Sequence, residues 1–158
     1  MKLDKRLDRA SHAVAELELI DAMFKTCPWE PRDLIELGLR QWLRCCAAAL
    51  RDRQVIGMPS HAVDEAWHGL ILCTRRYETF CTEAFGRFLH HTPLGAESAG
   101  AACDPMSEQL RRTVIAWSMV ASPGERCVLW DLDERVGVPE PWGLEPERIG
   151  EIESALRG

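Results

Sequence analysis

Residues 58–93 read MPSHAVDEAWHGLILCTRRYETFCTEAFGRFLHHTP, and this stretch decides the fold class. Gly57-Met58-Pro59 is a break, and Ser60 is an N-cap residue whose hydroxyl can accept from the first turn of a helix. From there Val63, Ala66, Trp67, Leu70, Thr74, Tyr77, Cys81 and Ala84 recur at spacings of three and four, a helical stripe. The pattern predicts one helix to about Phe85, ended by Gly86.

The same period runs outward in both directions. Leu3, Leu7, Ala10, Val14, Leu17 and Phe24 predict an amphipathic helix over 3–24. Cys27-Pro28-Trp29-Glu30-Pro31 ends it, and Pro31 is suited to open a second helix reaching Arg51. Asp104-Pro105 is an N-cap followed by an N1 proline, for a helix to about Ala121. Ser122-Pro123-Gly124-Glu125 has capping-box spacing and predicts a short helix to Arg135, although Cys127–Trp130 fits an extended segment equally. Glu145-Pro146 starts a last helix after an irregular link containing Pro139, Pro141 and Gly143. Residues 92–103 read as a surface connection. No run alternates with period two for long enough to build a sheet. The expectation is an all-α fold: a compact single-domain bundle of about five or six helices over residues 1–158.

Composition bounds the function without naming it. The 158 residues carry a net charge of −6 and a pI of about 5.4. That argues against nucleic acid or an anionic membrane as main partner, since both select basic surfaces. The longest apolar runs are too short to span a membrane, and no apolar leader opens the chain. Nine acids and four Arg in the acidic segment 125–158 predict a solvated face, with an acidic docking surface for a protein partner as the alternative. Seven cysteines without a CxxC pair fit reduced, buried thiols in a cytoplasmic protein. Cys81, on the apolar stripe, reads as core rather than nucleophile. Tyr77, Phe80, Phe85, Phe88 and the six tryptophans read as core or partly buried anchors. Sixteen Arg against three Lys suggests a bacterial source with GC-rich coding. No GxSxG, P-loop, GxGxxG or HExxH is present.

The histidines are where chemistry can be sought. His61, Asp64 and His68 form one row on the polar flank of the 60–85 helix, and His90-His91 follow its end. Four of the five histidines thus fall within 31 residues. Imidazole with carboxylate suits Zn²⁺ or Fe²⁺, and two His plus one carboxylate is the facial set of non-haem iron sites. An acid/base pair without metal, with Asp64 fixing the His68 tautomer, is a second reading. A structural Asp–His hydrogen bond is a third. The candidate metal ligands are Asp64, His68, His90 and His91. On a straight helix His68 stands about 25 Å from Phe85, so His90 approaches His68 only if Gly86 reverses the chain. Otherwise His12 becomes the nearest alternative.

Pro59-Ser60, Val63-Asp64-Glu65-Ala66-Trp67-His68, Thr74, Tyr77, Phe80-Cys81, Phe85-Gly86 and His90-His91-Thr92-Pro93 together resemble the glycine-rich-domain-containing-protein-like family. Trp130-Asp131-Leu132-Asp133 and Gly137-Val138-Pro139 resemble its tail more faintly. The resemblance implies a helical domain of unknown function and marks Asp64, Trp67, His68, Cys81, His90 and His91 as positions of interest. His61 is not part of that pattern. The glycine-rich tail of plant members is missing, so a role tied to that tail is not implied. Two functions follow as expectations: a small helical protein with a metal or acid/base site, or a non-catalytic interaction module in which the same residues are structural. Whether the chain is an enzyme stays open at this level.

Overall fold

A computed structural model describes residues 4–91 and 105–158, with the side chains of 105–107 left aside. The described residues form seven α-helices and one 3-10 turn, with no strand among them. The helices are α1 (Lys5–Glu16), α2 (Arg32–Asp52), α3 (His61–Leu72), α4 (Thr74–Phe85), α5 (Pro105–Val120), α6 (Leu132–Val136) and α7 (Pro146–Arg157). The 3-10 turn is Asp21–Phe24. The class is all-α as expected, with seven helices in place of five or six.

The central element is α2. Its buried Ile35, Leu39, Trp42, Leu43, Cys45 and Cys46 face α1, α3 and α5, while α4 lies on α1 and α7 on α5. The core joins these to Met23, Val63, Trp67, Leu70, Tyr77, Leu129 and Leu132. Helix ends follow local chemistry. Asp4 caps α1 by accepting from the amides of Arg6 and Leu7. Gly86 and Gly137 end α4 and α6 in the left-handed conformation. Among the described cysteines, five are buried and Cys73 is partly exposed.

Three departures from the sequence reading have physical causes. The helix expected over 3–24 stops at Glu16, because the Arg40 guanidinium occupies the terminal carbonyls of Val14 and Leu17. The chain then runs extended into the 3-10 turn, which crosses α3 at Gly69. A Cβ at Gly69 would sit 1.7 Å from the Met23 carbonyl oxygen. The helix expected over 60–85 breaks at Cys73 (φ −81°, ψ 64°). No glycine or proline marks this bend; it lets α3 follow α2 and the 3-10 turn while α4 follows α1. The capping box at Ser122–Glu125 forms its Glu125-to-Ser122 amide bond (3.0 Å), but no helix propagates. Buried Gln41 instead holds the backbone in an extended path, donating to the Arg126 carbonyl (2.9 Å) and accepting from the Val128 amide (2.8 Å). Pro31 takes the N-cap position of α2 rather than its first helical one. Asp104, Cys103 and the connection 92–103 lie outside the described residues.

Candidate metal centre

The site is built on α3 and closed by the segment after α4. The bend at Cys73 removes the 25 Å separation that a straight helix would impose, and the left-handed Gly86 turns the chain back (φ 71°). A buried hydrogen-bond chain fixes the return. Trp67 Nε1 donates to the Tyr77 hydroxyl (3.3 Å), and that hydroxyl donates to the Leu89 carbonyl (2.6 Å). Two residues on, the His91 ring packs on the Trp67 indole, centroids 4.7 Å apart.

His91 is thereby delivered to the row on α3. Its Nε2 lies 3.0 Å from Asp64 Oδ1 and 3.0 Å from His68 Nε2, and His68 Nε2 lies 3.5 Å from Asp64 Oδ2. One ligand atom from each of Asp64, His68 and His91 can be chosen so that all lie within 4.8 Å of one another, a group that could hold a metal ion. Asp64 and His91 are largely covered, while the His68 side chain is 38% exposed.

The hydrogen bonds inside this group crowd on one nitrogen, His91 Nε2. A neutral imidazole nitrogen offers either one N–H or one lone pair. His91 Nε2 faces both a carboxylate oxygen and a second imidazole nitrogen. If it donates to Asp64, its remaining neighbour His68 Nε2 is met by a proton already shared. If it accepts from His68, its lone pair faces the Asp64 oxygen. A cation among the three atoms would take one lone pair from each residue at once. The distances fit that role: bonds of about 2.1 Å put neighbouring ligand atoms about 3.0 Å apart in octahedral and about 3.4 Å apart in tetrahedral coordination.

The remaining sequence candidates fall elsewhere. His90 is exposed and stands edge-on to Phe88, with centroids 4.7 Å apart, outside the group. His12 is exposed on α1. Cys81 is buried, and burial raises its thiol pKa above the ordinary range. Tyr77 and Phe80 are core, but Phe88 is 41% exposed. His61 stacks on Trp142 (centroids 4.8 Å, planes 16° apart) and tilts against Trp29 at 5.2 Å.

Sequence reading missed two contributors. Asp133, read as one of the solvated acids, is fully buried. Its carboxylate accepts from Ser60 Oγ (2.7 Å), the amides of His61 (2.8 Å) and Ala62 (3.1 Å), and the amide of Trp142 (2.9 Å). It therefore caps α3 and ties the C-terminal segment to the helix carrying the site. The other is Glu65, next to Asp64 in the chain and 3.7 Å from His68 Nδ1. Its spacings of four from His61 and three from His68 were visible in the sequence. No local pattern points to Asp133.

The UCP032817-like family model matches residues 5–123, which span α1 to α5, and the chain belongs to that family. The match supports a domain of unknown function and does not carry the glycine-rich-domain-containing name that residues 58–93 suggest. No curated protein and no solved structure matches the chain.

Proposed function

We propose that this member of the UCP032817-like family binds a divalent transition metal, Zn²⁺ or Fe²⁺, through Asp64, His68 Nε2 and His91 Nε2. The observation that carries the reading is the convergence of two imidazole nitrogens and a carboxylate oxygen within the spacing of ligands around one ion. Two histidines and a carboxylate leave coordination positions open, so a bound ion would supply Lewis-acid or oxygen-activating chemistry. The protein's own residues do the rest. Asp64 supplies the negative charge, Trp67 sets the ring plane of His91, and the Tyr77–Leu89 bond holds the segment that carries it. The likeness of residues 58–93 to the glycine-rich-domain-containing-protein-like family supports kinship at the level of this segment.

A second reading has its own observation. The 3.0 Å separations are also hydrogen-bond lengths, so the cluster can act as a pin between α3 and the 86–91 return in an interaction module. Purified protein without a histidine tag, titrated with Zn²⁺ and Co²⁺, separates the two. The metal reading expects one ion per chain, a raised melting temperature, and loss of both in Asp64→Asn and His91→Ala, with His90→Ala unchanged. Binding below one tenth of an ion per chain, with no thermal shift, leaves the structural pin.

A further inference from the structure

We propose that Glu65 is a positioning residue for this site, holding the His68 proton on Nδ1 so that the Nε2 lone pair faces the metal. The inference rests on the metal reading above. Helical spacing places Glu65 between two histidines, four residues after His61 and three before His68, both neighbours on the helix surface. A single oxygen, Glu65 Oε1, lies 3.7 Å from His68 Nδ1 and 3.8 Å from His61 Nε2. These contacts are longer than hydrogen bonds, so the carboxylate acts on the two rings as a shared charge. An anion beside Nδ1 favours the tautomer protonated there, which is the one that presents Nε2 as a ligand; it opposes Asp64 Oδ2, 3.5 Å from Nε2, whose charge draws the proton to that nitrogen until a cation takes its place.

The far end of the row is anchored. His61 lies between Trp142 and Trp29, and the Trp142 amide donates to buried Asp133. His61 is thus a fixed wall against which Glu65 rests. Trp142 and Asp133 lie beyond the 5–123 family match, so the C-terminal segment supports the outer end of a site whose ligands lie inside that match. The sequence His61, Glu65, His68 then works as one row, in which the first member is clamped by indoles, the second carries charge and the third ligates.

The test uses the full chain, metal-free and titrated with Zn²⁺. Tautomers are read by long-range ¹H–¹⁵N correlation of the imidazoles, and affinity by competition with a chromophoric chelator. In the wild type the chain binds Zn²⁺, and Glu65 keeps a measurable share of the His68 proton on Nδ1 against the pull of Asp64 in the metal-free form. In Glu65→Ala the His68 proton redistributes toward Nε2 and affinity falls about 10- to 100-fold. Glu65→Gln, which keeps the shape and removes the charge, shows most of the same change, because the contacts at 3.7 and 3.8 Å act through charge. The metal-free melting temperature changes little, because Glu65 is partly exposed. Should Glu65→Ala fail to fold, His61→Ala carries the same comparison, with a smaller loss. Wild-type binding combined with an unchanged His68 tautomer and affinity within twofold in Glu65→Ala overturns the role of Glu65 alone. Absence of Zn²⁺ binding by the wild type overturns the metal reading, and this inference with it.

Discussion

The Tyr77 hydroxyl donates to the Leu89 carbonyl across 2.6 Å, joining the middle of α4 to the segment that returns to α3. Tyr77 is fully buried, and the same hydroxyl accepts from Trp67 Nε1. Two residues after Leu89 comes His91. A single phenol therefore couples the core tryptophan under the site to the backbone that brings His91 to Asp64 and His68. Its burial also pushes the phenol's pKa far above its ordinary value, so it stays a donor throughout the stable pH range.

Replacing Tyr77 with Phe keeps the ring and removes this link. The Leu89 carbonyl and the Trp67 indole N–H both lose a partner. The expected loss of stability is about 1–3 kcal/mol, the cost of orphaning buried polar groups. Zn²⁺ affinity should fall as well, because His91 is no longer held against Trp67. Chemical denaturation of the metal-free protein and Zn²⁺ competition measure the two effects separately. Unchanged affinity in a folded Tyr77→Phe protein would show that the Trp67–His91 contact alone places the ring.

Asp133 should matter more than any other acid in the C-terminal segment. Asp133→Ala strips four donors of their acceptor: the Ser60 hydroxyl and the amides of His61, Ala62 and Trp142. The expected loss is about 3–5 kcal/mol, from four donors left without an acceptor at about 1 kcal/mol or more each. Glu153→Ala, at an exposed position on α7, is the control and should change stability by less than about 0.5 kcal/mol. Urea unfolding of both proteins checks the contrast.

Acid should expose the Arg44–Glu125 pair. Arg44 binds both Glu125 oxygens, at 2.8 and 2.9 Å, and this guanidinium holds the Glu125 carboxyl below its ordinary 4.5. A carboxyl depressed in the folded state binds protons more weakly there than in the unfolded chain. Its contribution is therefore complete above pH of about 4.5 and is lost as pH falls through the lower folded value. Glu125→Gln should be less stable than the wild type at pH 7, and the difference should shrink as pH drops below about 4.5. A constant difference from pH 7 to pH 3 would remove the ion pair from the account.

The fold class, most helix starts and the row of Asp64 and His68 were legible because they depend on spacing within one helix. What joins them was not. His91 reaches Asp64 through a bend at Cys73 that no glycine or proline announces, and the straight-helix estimate pointed away from convergence. His90 and His91 could not be told apart by pattern, since adjacent residues on a returning segment point in different directions. Asp133 looked like one acid among nine, and its burial is decided by the packing of residues 130–142 on the start of α3. In each case the missing term is a contact between segments far apart in the chain, which local period and capping chemistry do not encode.

Alkali should test the reading of the cysteines as core. Burial raises the Cys27 thiol to about 11 and the Cys127 thiol to about 12, from an ordinary value of 9.0. Cys27 Sγ also lies 3.6 Å from the Ala62 carbonyl, to which it donates from a buried position in the core. A thiol raised in the folded state keeps its proton where the unfolded chain would release it. Its contribution is complete below pH of about 9 and is lost as pH rises through the folded values near 11 and 12. Stability should therefore decline above pH 9, and Cys127→Ala should decline less steeply than the wild type. At pH 8, iodoacetamide should label Cys73, which is partly exposed, well before Cys27, Cys45, Cys46, Cys81 or Cys127. Peptide mass mapping reads the order, and labelling of Cys127 at the rate of Cys73 in the folded protein would contradict its place in the core.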